Sequence, residues 1–382
     1  MIHKFYYIEG GAERYMFNLS ELLQRDGHQV IPFAMKHPKN APTEFAEYFV
    51  DFFEPDKEMA KLGLINGARA AARVIFNRQA QKNVGKIIDD FSPDIAHVHG
   101  VYHHLSPSVL FALKKKKRPV IFTLHESKIL CPAYLFLDGH GQVCERCEGK
   151  KFWHATAKKC FRHSLAASLL VSLESYVHRL LKTYQNKVDL YLSPSRFLQE
   201  KMIQYGYPPE KVEWLPYFIP IDQYQPSFDH EDYFVYVGRL SPEKGVMELA
   251  YAMKKLPHLK LKIVGTGRLE DVLQSFIREE GLRNIELSGY QSGESLRQIV
   301  CNAMFVAVPS VVYDNSPLSI YEAFALGKPV VGAAIGGIPE LIDEGRDGFL
   351  FASGDETSLV NALGKMMECE QEFAMMGQHA RQ

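Results

Sequence analysis

Two short stretches carry the residues best suited to chemistry, and they share one layout of apolar run, tight loop and helix entry. In Tyr236-Val237-Gly238-Arg239-Leu240-Ser241-Pro242-Glu243-Lys244-Gly245 the loop holds two cations. A diphosphate leaving group needs its developing negative charge neutralised, either by a divalent metal or by fixed Arg and Lys side chains. Arg239 and Lys244 suit the second solution. The other stretch runs from Val311 to Val331. Asp314, Asn315 and Ser316 offer capping oxygens, and Pro317 is tolerated as a first helical residue, so a helix is predicted to open there. Gly327 stops that helix and Pro329-Val330-Val331 begins the next strand. The free N–H groups of the first turn suit a phosphate, and Glu322 lies one to two turns further on, within reach of a ligand at the loop.

Together these stretches resemble the donor half of the family-4 retaining glycosyltransferases, which have the GT-B fold. That family carries Gly-Arg-Leu-x-x-x-Lys-Gly and two Glu residues separated by seven others. Here the pair reads Asp314 and Glu322, with the right spacing and Asp for the first Glu. The resemblance implies two Rossmann-like doubly wound parallel-sheet domains facing a cleft. It implies transfer of a sugar from a nucleotide diphosphate sugar (UDP- or GDP-linked) to an acceptor hydroxyl with retention, in cell-surface polysaccharide or glycolipid synthesis. Glu322 would hold the ribose and Asp314 the donor sugar. Arg239, Lys244 and the N–H groups near Asn315, Ser316 and Leu318 would hold the diphosphate, without a metal or other cofactor at the reaction centre. Gly238 and Gly265 would line the nucleotide site through backbone, and Tyr290 would lie where the base is held. Non-hydrolysing sugar-nucleotide 2-epimerases share this fold, and a non-catalytic sugar-nucleotide-binding protein is the third reading.

In the amino-terminal half, Gly10-Gly11 precedes an amphipathic helix and permits close approach of a phosphate or sugar. In the resembled family this loop faces the donor. Pro119 to Leu124 reads as a strand delivering His125-Glu126, similar to the family's His-Asp element, in which the His contacts the donor sugar. His99 ends another strand and could serve the site or the core. Cys131, Cys144, Cys147 and Cys160 form a single Cys, twelve residues, Cys-x-x-Cys, twelve residues and Cys. A lone Cys-x-x-Cys could be a redox pair, whereas four at this spacing favour structural zinc, in an insert of about 131–160.

These residues need a scaffold of alternating strands and helices. The 382-residue chain is too long for one core, and domains are expected at 1–216, on the acceptor side, and 217–382, on the donor side. Strands are expected at His28–Ala34, Pro93–Gly100 and Val188–Ser193, with helix over Met59–Asp90 and Ser164–Tyr184, and Val212–Leu215 is expected to end the first domain. Further strands are expected at Phe234–Val237, Leu259–Val264, Ile285–Ser288, Met304–Pro309 and Pro329–Ala333. Asp347-Gly348 reads as a turn, and Asp355 starts the final helix. A net charge of −1 gives no reason to expect nucleic-acid binding. No apolar run reaches transmembrane length, and Met1 is followed by no secretory apolar segment, so a cytoplasmic location is expected. The basic run Lys114 to Arg118 exceeds what a helix terminus needs and suggests contact with an anionic inner-membrane face, where a lipid-linked acceptor would lie.

Overall fold

The structure is a computed structural model describing residues 1–54 and 64–382. The part of the Met59–Asp90 expectation before Leu64, Lys61 included, lies outside the described residues. The remainder forms two helices, Leu64–Ile75 and Arg78–Phe91, separated where the Asn77 side chain caps the second. The chain divides into two compact units, Met1–Pro216 and Tyr217–Gln382.

The first unit is built on a five-stranded parallel sheet in the order β1 (Ile2–His3), β2 (Ala96–Gly100), β3 (Val120–Thr123), β4 (Leu190–Ser193), β5 (Val212–Trp214). The strand expected at His28–Ala34 is reduced to an extended segment beside β1, with a single bridge from Ile2 to Phe33. Pro32 interrupts it, having no N–H to donate to a ladder. Ser195 caps the Arg196–Gln204 helix, its hydroxyl accepting from Leu198 N at 3.1 Å. The helix expected over Ser164–Tyr184 is two, Leu165–Leu180 and Thr183–Lys187, broken at Lys182 in the left-handed region.

The second unit holds a six-stranded parallel sheet: β6 (Phe234–Val237), β7 (Leu261–Val264), β8 (Ile285–Gly289), β9 (Val306–Val308), β10 (Val330–Ala333) and β11 (Gly348–Phe351). Its order is β11-β10-β9-β6-β7-β8. From β6 the chain winds outward through β7 and β8, then returns to lay β9, β10 and β11 on the other side. The order therefore reverses between β6 and β9, where the register pairs Val235 with Val306 and Tyr236 with Ala307. Such a switch point opens a crevice at the carboxyl ends of the strands. Apolar residues cover both faces: Phe234 and Tyr236 join one core, Val235 and Val306 the other. This is why the strands read as continuous apolar runs. The turn expected at Asp347-Gly348 instead leads directly into β11, and the Glu356–Glu368 helix is followed by another, Phe373–Arg381.

Candidate functional site

Both chemical stretches leave the sheet at that switch point, Gly238–Gly245 after β6 and Pro309–Pro317 after β9. Glycine permits their closeness. Gly245 has φ +70°, and a Cβ there would fall 1.7 Å from the Pro309 carbonyl oxygen. The Lys244 ammonium consequently reaches across and donates to Oδ2 of Asp314. Ser310 Oγ donates to the same oxygen at 2.9 Å. Burial pushes the Asp314 carboxyl up, but Lys244, the Ser310 hydrogen bond and the charge of Arg239 outweigh it and hold the group below the usual carboxylate range. Both cations of the first loop thus act on one carboxylate of the second. Arg239 itself is largely exposed and lies 3.9 Å from Glu243, which also binds Arg268 at 3.0 Å.

Pro317 is the N-cap rather than the first residue of the Leu318–Ala325 helix, and no side chain caps it. The expected capping oxygens are engaged elsewhere: Asp314 by Lys244 and Ser310, Ser316 by the Tyr321 hydroxyl at 2.9 Å. Glu322 accepts from Tyr224 OH at 3.2 Å. Gly265 is packed against the Gly238 backbone and Gly267 against the Leu240 backbone. A Cβ on Gly265 would meet the Gly238 carbonyl oxygen at 1.9 Å, so its close approach is to backbone of its own unit. Tyr290 follows β8 and is exposed. The sequence reading missed Ser310. Gly336-Gly337 after β10 reads from sequence equally as lining of a site or as a packing turn, and its Gly337 N–H donates to the Asp314 carbonyl at 2.8 Å.

In the first unit, Gly10 N–H donates to Glu13 Oε2 at 2.9 Å as the Gly11–Arg25 helix begins. His125 follows β3 within a histidine cluster. His99 Nδ1 and His125 Nε2 are 2.9 Å apart, the two rings stack at 5.2 Å, and His97 stacks on His99 at 4.2 Å. His3 lies 3.4 Å from Glu13. Burial lowers His3 and His97 to about 3 and, with the surrounding histidines, carries His99 and His125 well below the usual imidazole range. These rings are neutral near pH 7, so His125 can orient or polarise a partner but brings no charge. His97 and His99 are two residues apart in a strand and so share a face, a signal present in Ala-His-Val-His-Gly.

The cysteines do not support the zinc expectation. All six are free thiols, and among the described residues no group of three or more His, Cys, Asp or Glu side chains is placed to hold a metal ion. Cys147 packs with Phe152 and Ala155, with Cys160 against them. Burial, followed by the neighbouring thiols, pushes Cys147 up to about 12 and Cys160 to about 11, and burial also raises Cys131. Besides burial, Cys131, Cys160 and Cys144 all raise Cys147, so the four thiols share one neighbourhood, without a metal-holding arrangement among the described residues. The basic run is likewise partly neutralised, Lys114 pairing with Asp189 and Lys116 with Asp89.

Comparison with known proteins defines the class. The family model for glycosyltransferase family 4 matches residues 9–223, and that for glycosyl transferases group 1 matches residues 220–382. The chain belongs to glycosyltransferase family 4. It is 35% identical over 118 residues to an uncharacterized glycosyltransferase of Methanocaldococcus jannaschii, covering 30% of each chain. It is 28% identical over 196 residues to the amylovoran biosynthesis glycosyltransferase of Erwinia amylovora, covering 48% of each. The chain spans less than half the length of these curated relatives. Among solved structures, that of the Anabaena protein HepE with UDP-glucose is similar at a TM-score of 0.67 and 19% identity, covering 100% of this chain and 92% of that one. The likeness shows the fold, GT-B with two Rossmann-like domains. No helix of the described residues is long and apolar enough to cross a membrane.

Proposed function

We propose that this protein transfers a sugar, with retention, from a nucleotide diphosphate sugar to an acceptor hydroxyl in the synthesis of a cell-surface polysaccharide or glycolipid. The observation that carries the reading is the convergence of Lys244 and Asp314 at the switch point of the second sheet. A diphosphate arriving there meets the ammonium of Lys244 and the guanidinium of Arg239. These supply the charge that a metal supplies in other leaving-group sites, and they hold it before the bond breaks. Asp314 then accepts a hydroxyl of the donor sugar, and Glu322, kept in place by Tyr224, accepts from the ribose. As the bond from the anomeric carbon to the diphosphate oxygen breaks, charge grows on that oxygen, where the two cations stabilise it. The same oxygen takes the acceptor's proton as the new glycosidic bond forms on the face it is leaving, which yields retention. The neutral His125 is the candidate from residues 1–216 for orienting the sugar. Polysaccharide synthesis is supported by the amylovoran relative, and the UDP-glucose carried by the similarly folded HepE makes that compound the first donor to assay.

The test is turnover of a panel of UDP- and GDP-sugars, with and without acceptors, by the wild type, Lys244→Ala and Glu322→Ala. Acceptor-dependent transfer that both substitutions reduce by about a hundredfold or more supports the reading. Release of 2-epimerised sugar without an acceptor would instead make the protein an epimerase. Binding without turnover across the panel would leave it a sugar-nucleotide-binding protein.

A further inference from the structure

The Leu165–Leu180 helix of the first unit is inside out. Its buried positions are Ser168, Val171, Ser172, Glu174 and His178, four of the five polar. Its exposed large apolar residues are Leu165, Leu169, Leu173, Tyr176 and Leu180, a stripe spaced four, four, three and four residues apart, with Leu169 56% and Leu180 84% exposed. At the α-helical rise the stripe is about 22 Å long. The polar interior fixes this rotation. Glu174 Oε2 binds Lys128 Nζ at 2.8 Å and His103 Nε2 at 3.1 Å, while Ser172 Oγ donates to the Phe152 carbonyl at 3.0 Å and receives the Thr156 hydroxyl at 2.9 Å. His178 reaches the Ile75 carbonyl at 3.0 Å. Turning the helix to bury its leucines would strand a paired carboxylate and three hydrogen-bonded side chains, a far larger loss than the exposed apolar area represents. The leucines therefore face outward by construction.

The surroundings say what covers them. Between Lys150 and Lys182 the chain carries seven Lys and Arg and a single acid, the buried Glu174. Arg162 precedes the stripe and Lys182 follows it. Midway, the backbone N–H of the exposed Trp153 donates to Tyr176 OH at 3.2 Å, bringing Lys150 and Lys151 alongside by chain connection. An apolar stripe bordered by cations, with a Trp and a Tyr at its side, is the complement of an anionic bilayer surface: acyl chains meet the leucines, headgroups the cations, and the aromatic rings the boundary. We infer that this helix is an interfacial anchor, lying flat on an anionic lipid bilayer with its leucine stripe immersed. In the basic run at Lys114 to Arg118 two lysines are paired with neighbouring acids, as Lys158 is with Asp138 at 3.8 Å. That run, however, has no apolar stripe beside it on its own helix, where Val109, Leu110 and Leu113 are buried.

The test is co-sedimentation of the full chain with phosphatidylcholine vesicles, with and without about a quarter phosphatidylglycerol, at low and high salt. The expected result is binding to the anionic vesicles, weakened by salt, and reduced about tenfold or more in the double variant Leu169→Gln, Leu173→Gln. The melting temperature of that variant should match the wild type, because both side chains are exposed. In a Trp214→Phe background, which leaves Trp153 as the one tryptophan, emission should shift to the blue on adding anionic vesicles. Failure to bind either vesicle overturns the inference, as does undiminished binding by the double variant. A concentration-dependent dimer that the same variant abolishes, without vesicle binding, also overturns it and assigns the stripe to a second copy. None of these readouts uses a sugar donor, so they stand or fall apart from the transferase reading.

Discussion

Lys244 and Asp314 lie seventy positions apart in the chain, yet the ammonium of one is bonded to the carboxylate of the other. Before any ligand arrives, the diphosphate-binding cation is held by the group assigned to the sugar. The pair keeps the Lys244 side chain ordered, which lowers the entropy lost on binding, but the carboxylate also opposes an incoming diphosphate. The two substitutions should therefore act in opposite directions on nucleotide affinity. Lys244→Ala should weaken UDP binding about tenfold or more, whereas Asp314→Asn should tighten it by about fivefold while lowering transfer. Titration calorimetry with UDP, alongside transfer rates, measures both. Equal weakening by the two substitutions would refute the opposition.

That relationship also marks how far the sequence could be read. The two loops, their residue types and their place after parallel strands were legible from apolar runs, glycines and helix-entry residues. The bond between Lys244 and Asp314 was not, because adjacency of β6 and β9 depends on the strand order reversing between them. The strand β11 was missed because Asp347-Gly348 looks like a turn, and Gly348 is its first residue. The helix over Ser164–Tyr184 was legible, but which side of it is buried was not. Ser172, Glu174 and His178 find partners at Phe152, Thr156, Lys128, His103 and Ile75, which no local pattern reveals. The four cysteines illustrate the converse: their spacing suits a metal, while among the described residues no group of three or more metal-ligating side chains is placed to hold one.

Gly245 is the position where backbone geometry and chemistry meet. A methyl group there would combine a left-handed φ with a backbone clash against Pro309 that no side-chain rotation relieves. Gly245→Ala should destabilise the protein by about 3 kcal/mol and displace Lys244 from Asp314. Urea unfolding and UDP titration on the same preparation should register both effects. An unaltered midpoint would mean that the loops separate at little cost.

The histidine cluster makes the first unit sensitive to acid. His3 and His97 are held at about 3 in the folded protein, burial being the main cause, against about 6.5 when unfolded. Between these values the unfolded chain binds more protons than the folded one, so acid favours unfolding. The stability contributed by the neutral rings is complete above pH 6.5 and is lost as pH falls towards 3. Each ring contributes a slope of about 1.4 kcal/mol per pH unit within that window. Urea midpoints measured at pH 7 and pH 5 should differ accordingly, and His97→Gln should flatten the dependence. A stability unchanged between those pH values would show that the rings titrate normally.

Lys328 behaves in a related way with a different window. It is 2% exposed, and its Nζ donates to the Asp229 carbonyl at 2.8 Å. Burial lowers it from 10.5 to about 8. A lysine that is easier to deprotonate folded than unfolded destabilises the protein wherever it is charged, and the penalty fades as pH rises from 8 to 10.5. Methionine keeps much of the side chain's length and removes the charge. Lys328→Met should therefore raise stability at pH 7 by about 2 kcal/mol, the desolvation relieved exceeding the single hydrogen bond lost. The gain should shrink towards pH 10, where the wild-type amine is already neutral in the folded state. Urea unfolding of both proteins at pH 7 and pH 10 distinguishes this from a packing effect, which would persist unchanged at the higher pH.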